Sequence, residues 1–169
     1  MNHLLFLFGY ACCLAMVIPL LLPSTYLAYF APFIVLSFYR CPFNRSLWWA
    51  LFCGLFIDLF SSQTPLGTYA FNYCLTAFLL YRYKDHFFQD ALSTLPVMTL
   101  FFTCCSNLIQ GFLLYALGLP FHFSWEWVNS DLFFVPLLTA LYAIIAFKLP
   151  SLAFAKLIRH RRLSKRRKT

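Results

Sequence analysis

Asp58 is the one acidic residue that lies inside a long apolar stretch of the chain, in the run GLFIDLFS from Gly54 to Ser61. A carboxylate in the middle of a membrane costs about 2.5–3.5 kcal/mol on insertion scales, so it needs a polar partner or a hydrated cavity. Gly54 precedes Asp58 by four residues on the same helix face, and a glycine there lets a second helix approach closely. This spacing predicts a buried carboxylate at a contact between helices.

Amide side chains that could meet this carboxylate lie in two later apolar stretches. Asn107, Gln110 and Gly111 share one helix face, because they follow the i, i+3 and i+4 spacing. Asn72 lies at a compatible depth in the preceding stretch. We therefore expect a polar cluster of Asp58 with these amides in the outer half of a helical bundle. Two interpretations stay open: interhelical hydrogen bonds, each worth about 0.6–2 kcal/mol, or a site for a substrate or a proton.

The segment that follows Asp58 is short and uncharged, with the sequence SSQTPLG from Ser61 to Gly67. Ser61 and Ser62 are suited to the end of one helix, and Pro65 suits the first turn of the next. The serine hydroxyls are within reach of the Asp58 carboxylate. We expect Ser61, Pro65 and Gly67 to form one compact corner with Asp58.

No arrangement of residues indicates catalysis or metal binding. The four histidines are scattered among the N-terminus, two loops and the tail, and the seven cysteines include no C-x-x-C pair. There is no glycine-rich phosphate loop. A lipid-modifying enzyme would have to use His122, Glu126 and Asp131, whose spacing matches no motif. The sequence therefore predicts a protein that is not an enzyme and has no cofactor.

The composition is typical of a membrane protein. The 169 residues are 62% hydrophobic and 11% charged, against about 45–50% and about 25% in a soluble domain. A helix needs about 20 residues to cross the hydrocarbon core, and six apolar stretches come near that length. They are Leu4–Leu22, Tyr26–Tyr39, Leu47–Phe60, Leu66–Tyr81, Leu95–Leu117 and Leu132–Leu149. We predict an all-α bundle of about six transmembrane helices over residues 1–150.

The distribution of basic residues predicts the orientation of this bundle. All thirteen Lys and Arg residues fall in three places: between the second and third apolar stretches, between the fourth and fifth, or at and after the end of the sixth. Because cytoplasmic loops carry the excess of basic residues, we predict an inner (cytoplasmic) membrane protein with both termini in the cytoplasm. The weakest span is Tyr26–Tyr39: if it only dips into the membrane, the N-terminus moves outside.

The predicted cytoplasmic tail, residues 151–169, is strongly basic. Each basic residue near an anionic leaflet contributes about 1 kcal/mol. Two interpretations stay open: a topology anchor that binds anionic lipid, or a docking site for an acidic cytoplasmic protein. We expect no nucleic acid, because nothing in the tail reads bases. The basic residues are Lys156, Arg159, Arg161, Arg162, Lys165, Arg166, Arg167 and Lys168.

The stretch from about Trp48 to Ala146 resembles the bacterial rod shape-determining MreD family. The resemblance is carried by the G-x-x-x-D-x-x-S run of Gly54–Ser61, which ends one span, and by the P-L-G of Pro65–Gly67, which opens the next. The later segment WEWVN, followed by Pro136, is similar to the closing region of that family.

This resemblance implies a non-enzymatic scaffold of the elongation complex that guides lateral peptidoglycan synthesis and cell shape. Its expected partners are the bitopic membrane protein MreC, the actin-like MreB, and RodA with its transpeptidase. In that role, Asp58 and the Ser61–Gly67 segment would fix the part of the bundle where a partner docks.

The bundle of this family also looks like the six-helix substrate-binding components of energy-coupling-factor vitamin transporters. That likeness implies the alternative function, a membrane component that binds a small molecule. The alternative predicts an outward cavity with aromatic walls, lined by Asp58, Asn72, Asn107 and Gln110.

Overall fold

The computed structural model of the chain describes residues 2–21, 27–61, 65–87, 91–118 and 124–148. These ranges are helical apart from short connections, and they contain no strand. The first five helices are α1 (Asn2–Leu21), α2 (Ala31–Arg40), α3 (Phe43–Phe60), α4 (Thr68–Phe87) and α5 (Ala91–Ala116). A last segment, here called α6, runs through Trp125–Asn129, the π-helical turn Ser130–Phe134, Val135–Ala143 and the π-helical turn Ile144–Lys148.

Two of the described helices are long and apolar enough to cross a membrane. They are Thr94–Ala116 within α5 and Trp127–Phe147 within α6, of 23 and 21 residues with mean hydropathies of 1.6 and 1.9. At 1.5 Å per residue they are about 34 and about 31 Å long, which matches a hydrocarbon core of about 30 Å. Leu4–Leu20 of α1 is apolar but shorter. The described chain is thus all-helical with two candidate spans.

The α2 helix is only half as long as a membrane is thick, and it is almost completely buried. Its ten residues extend about 15 Å, and every side chain from Ala31 to Phe38 is buried. The helix starts where Pro32 occupies its first turn. It ends at Arg40, because Cys41 precedes Pro42 and is extended. The predicted stretch Tyr26–Tyr39 is therefore corrected to a half-length central helix.

The α1 helix packs against this central helix through Phe8. The Phe8 ring lies 5.6 Å from the ring of Phe33 and 5.1 Å from that of Trp49 in α3, measured between ring centroids. Tyr10 donates a hydrogen bond to the backbone oxygen of Ala146 in α6, at 3.3 Å. These contacts make α1 an integral part of the bundle.

Three of the basic residues in the described ranges lie at one end of the bundle. The hydroxyl of Tyr81 in α4 donates to the backbone oxygen of Cys41, at 3.3 Å, and so joins the α2–α3 connection to the end of α4. Arg40, Arg45 and Arg82 are exposed beside these contacts. We call this the basic end. The turn between α3 and α4 lies at the opposite end, where the candidate site is found.

Candidate functional site

Gly54 allows α4 to pack directly against the backbone of α3. A Cβ atom added at Gly54 would lie 2.4 Å from Ala70 Cα and 2.7 Å from the carbonyl oxygen of Tyr69. Carbon atoms in good contact are separated by about 3.5–4.0 Å, so any larger residue would force the two helices apart. The close approach of a second helix, predicted from the sequence, is thus made by the first turn of α4.

Asp58, one turn after Gly54, caps the N-terminus of α4. Its Oδ1 accepts a hydrogen bond from the backbone N–H of Tyr69 and its Oδ2 accepts one from that of Ala70, both at 3.0 Å. The side chain is 4% exposed. These two amides are the second and third of the helix, which the N-cap residue itself normally bonds. In α4 the N-cap position is occupied by Gly67, which has no side chain that could accept these bonds. Asp58 of the neighbouring helix α3 provides the acceptor instead.

The carboxylate also has a favourable electrostatic position. The first turn of a helix carries unpaired N–H groups and a partial positive charge of roughly half an elementary charge. A buried carboxylate that accepts two of these N–H bonds has its charge compensated without a basic side chain. Asp58 therefore joins α3 to α4 through backbone groups.

The turn that leads into α4 is closed by its own residues. Gly67 has a φ of +98°, a conformation that glycine adopts without steric cost. The hydroxyl of Thr68 donates to the carbonyl oxygen of Pro65, at 2.6 Å. At the other side of the turn, the backbone N–H of Ser61 donates to Ile57 at the end of α3, at 2.9 Å. We call Gly54, Asp58, Ser61, Pro65 and Gly67 the α3–α4 corner.

A separate set of polar side chains joins α4 to α5. The Nδ2 of Asn72 donates to the Oγ of Ser106 and to the Oε1 of Gln110, both at 3.0 Å. Asn72 and Ser106 are fully buried. Ser106 was not among the residues predicted for the cluster, although its position one turn before Gln110 on α5 is compatible with a shared face. This set, here called the amide network, consists of Asn72, Ser106 and Gln110.

Asn107 makes a third connection, from α5 to α6. Its Nδ2 donates to the backbone oxygen of Asp131, which lies in the first π-helical turn of α6. Cys104, one turn earlier on α5, donates from Sγ to the backbone oxygen of Leu132, at 3.4 Å. Because a π-helical turn replaces the regular i→i−4 bonding, side chains from a neighbouring helix can bond its carbonyl groups.

The single cluster expected from the sequence is therefore corrected. Both Asp58 oxygens bond amides of α4, whereas Asn72 and Gln110 bond each other and Asn107 bonds α6. The physical reason is that the helix N-terminus offers Asp58 two unpaired donors at short range. The amide side chains find partners among themselves and in a π-helical turn.

A cavity of about 460 Å³ lies beside the amide network. The polar part of its lining includes Asn72, Ser106, Asn107 and Gln110, and Asp58 does not line it. The Nε2 of Gln110 is buried and has no hydrogen-bond partner among the described residues, which costs about 1–3 kcal/mol when nothing offsets it. Four aromatic residues complete the walls: Tyr29, Tyr69, Tyr73 and Trp127.

Two further predictions concern groups that could hold ions. Within the described ranges, no group of three or more His, Cys, Asp or Glu residues could hold a metal ion. The basic residues expected to bind lipid or an acidic partner lie outside the described residues. They are Lys156, Arg159, Arg161, Arg162, Lys165, Arg166, Arg167 and Lys168.

Comparison with known proteins gives no match, since no family model, curated protein or solved structure matches this chain. The features of the molecule that bear on function are the corner, the amide network and the cavity.

Proposed function

We propose that the chain is a multi-pass protein of the bacterial cytoplasmic membrane. The distribution of its side chains supports this: large apolar residues on α1, α3, α5 and α6 point outward, whereas polar residues are buried. Phe6 is 77% exposed and Leu59 is 72% exposed. Thr99 and Thr103 are buried and satisfy their hydroxyls on backbone oxygens four residues earlier. A soluble monomer rarely exposes so much contiguous apolar surface.

The proposed topology has six crossings, with both termini in the cytoplasm. Pro19 of α1 and Leu27 both border the cavity, while Cys41 bonds Tyr81 at the basic end. We infer that the segment from Leu27 to Cys41 crosses from the side of the cavity to the basic end, although its helix is short. The basic end is proposed to face the cytoplasm, because basic residues are retained there.

Within that membrane we propose a non-enzymatic scaffold of the cell-elongation complex, of the MreD kind. The observation that carries this proposal is the α3–α4 corner. The residues that carry the resemblance to that family each have a structural role in the corner. Gly54 allows the close approach of α4, Asp58 caps α4, and Gly67 forms the tight turn. A rigid corner built from these residues gives a partner a surface of fixed shape.

The surface beside the corner is suited to a partner within the membrane. Leu59, Phe60 and Leu66 are exposed there, next to backbone that Asp58 holds in place. Apolar side chains on a rigid support can bind a partner helix with little loss of conformational entropy. We propose an MreC-like bitopic protein as this partner, in a complex that includes MreB, RodA and its transpeptidase.

Co-purification with the MreC-like protein after gentle solubilisation tests this proposal. We expect Asp58→Ala to reduce co-purification at least tenfold at normal expression. Asp131→Ala is the matched control, because Asp131 belongs to α6 and its carboxylate accepts a hydrogen bond from Ser130 of its own turn. Undiminished co-purification of the Asp58→Ala protein would remove the corner from partner binding.

A second candidate function, a small-molecule-binding component of a transporter, is favoured by one observation. The cavity contains three of the four residues that this function predicts: Asn72, Asn107 and Gln110. Recovery of a nucleotide-driven transport module, instead of cell-wall elongation proteins, from the same gentle purification would favour this candidate over the scaffold.

A further inference from the structure

We propose that the cavity beside the amide network binds an uncharged small molecule, which contains a planar ring and presents a hydrogen-bond acceptor to Gln110. The proposal goes beyond the scaffold function and rests on the geometry of the cavity alone. It also specifies the class of ligand that the transporter candidate would need.

The cavity is large enough for a molecule of this kind. Its volume of about 460 Å³ is many times the share of about 30 Å³ that one water molecule occupies in the liquid. Sites for small molecules in proteins typically measure about 300–1,000 Å³. The cavity, which is lined by residues of six segments, therefore has room for a ligand of this size.

The hydrogen bonds of the amide network leave one donor for a ligand. Asn72 uses its Nδ2 group on Ser106 and on Gln110, so the Oε1 of Gln110 is occupied. The Nε2 of Gln110 is then held in a fixed orientation, buried and without a partner in the part of the chain that the structure describes. An acceptor on a ligand would satisfy this donor, which is why we infer that the ligand carries a carbonyl, ether or ring-nitrogen acceptor.

The charges around the cavity favour an uncharged ligand. Among the described residues its lining contains no Lys, Arg or His and a single carboxylate, that of Asp131, to which Ser130 donates at 2.8 Å. An anion would meet no positive charge and one negative charge, and transfer from water would leave it uncompensated. The amides and hydroxyls of the lining match the dipoles of a neutral molecule instead.

The walls favour a planar ring. Tyr29, Tyr69, Tyr73 and Trp127 line the cavity, and aromatic side chains prefer stacked or edge-to-face contacts with other rings. A planar ligand can therefore gain contact area from these walls while its acceptor reaches Gln110.

Binding of benzamide to the full chain in lipid nanodiscs tests the proposal. Benzamide is an uncharged aromatic ring with a carbonyl acceptor, benzoate is its anionic counterpart and benzylammonium its cationic one. Ligand-observed NMR titrations, corrected with empty nanodiscs, give the three dissociation constants. We expect saturable binding of benzamide, with a dissociation constant at least tenfold lower than those of the two ions.

Two variants and one control locate the binding. Gln110→Leu removes the free donor and is expected to weaken benzamide binding about tenfold, which corresponds to about 1.4 kcal/mol. Leu114→Trp leaves the amide network in place but fills the cavity, and is expected to abolish binding. Phe112→Leu, an exposed position on the same helix, is expected to leave binding unchanged.

Three results would overturn the proposal: no saturable binding of benzamide, equal or tighter binding of either ion, or unchanged binding to the Leu114→Trp protein. Since this experiment measures a small molecule and the scaffold is tested by co-purification, either proposal can fail while the other stands.

Discussion

Asp58 acts on α4 through two backbone amides, and this explains which part of its role can be predicted from sequence. The cost of burying a carboxylate and the glycine four residues earlier indicate a buried contact between helices. They do not identify the partner, because every residue except proline carries a backbone N–H and the sequence does not mark which ones stay unpaired. A search among side chains therefore selected Asn72, whereas the partners are the N–H groups of Tyr69 and Ala70.

Removing the cap should destabilise the bundle. We expect Asp58→Ala to lower the free energy of unfolding by about 2–3 kcal/mol, since two charge-assisted hydrogen bonds are lost and two amides are left unpaired. Asp58→Asn should recover part of the loss, because asparagine caps helices nearly as well as aspartate. Denaturant unfolding in detergent micelles measures the difference. Equal stability of the alanine and wild-type proteins would contradict the capping role.

Gly54 and Gly9 form a matched pair for the close approach of α3 and α4. At Gly54 an added Cβ collides with Ala70, whereas at Gly9 of α1 it meets nothing within 4 Å. We expect Gly54→Ala to cost about 1–3 kcal/mol, as overpacking does. Gly9→Ala should be neutral or stabilising by up to about 1 kcal/mol, from its higher helix propensity.

Melting temperatures of the two glycine variants, measured in the same detergent, make this comparison. Similar destabilisation at both positions would mean that the contact between Gly54 and Ala70 does not limit the packing of α3 on α4.

At the scale of elements, the sequence contains the proline signals that end α2, but its apolar composition suggests a longer, membrane-spanning helix. A window of apolar residues cannot distinguish a helix that crosses lipid from one that is covered by other helices, because both environments exclude water. Pro32 and the Cys41–Pro42 step fix the two ends of α2, and they give a helix of ten residues. The last helix starts earlier than predicted. The apolar stretch begins at Leu132, whereas α6 begins at Trp125, because Glu126 and Asp131 interrupt the apolar run without ending the helix.

The π-helical turn of α6 should depend on Asn107. Replacement by leucine removes the donor to the Asp131 carbonyl, and leaving that carbonyl unpaired should cost about 1–3 kcal/mol. We expect Asn107→Leu to accelerate backbone hydrogen exchange in residues 130–135 while exchange in α3 stays unchanged. Leu108→Ala, at an exposed neighbouring position, is the control. Unaltered exchange in residues 130–135 would contradict a supporting role for Asn107.

At the scale of the whole molecule, the two ends of the bundle differ in chemistry. Arg40, Arg45 and Arg82 lie at one end, and the α3–α4 corner lies at the other. The sequence predicted that Arg40, Arg45 and Arg82 share one end, because the breaks between apolar stretches alternate in charge, whereas the basic residues of the tail lie outside the described residues. The cavity could not be predicted in the same way, because its walls come from six separate segments whose relative rotation depends on packing.

Labelling with a membrane-impermeant maleimide should distinguish the two ends. In a background without the seven native cysteines, we expect Pro65→Cys to be labelled in intact spheroplasts, because Pro65 is exposed in the connection between α3 and α4. Arg45→Cys should be labelled only after permeabilisation. Labelling of Arg45→Cys in intact spheroplasts would reverse the proposed orientation.

The half-length of α2 has a consequence for how the protein is made. A helix of about 15 Å is too short to span a hydrocarbon core of about 30 Å by itself. It is therefore not stable as an isolated helix in lipid after it leaves the translocon. Its neighbours α1, α3 and α5 must cover it, through contacts such as those of Phe33 with Phe8 and with Trp49 and of Phe38 with Phe102 in α5. Because part of this cover comes from α5, α2 is expected to reach its final position only after α5 has entered the bilayer, and a ribosome stalled after α2 alone should leave the nascent chain open to membrane proteases.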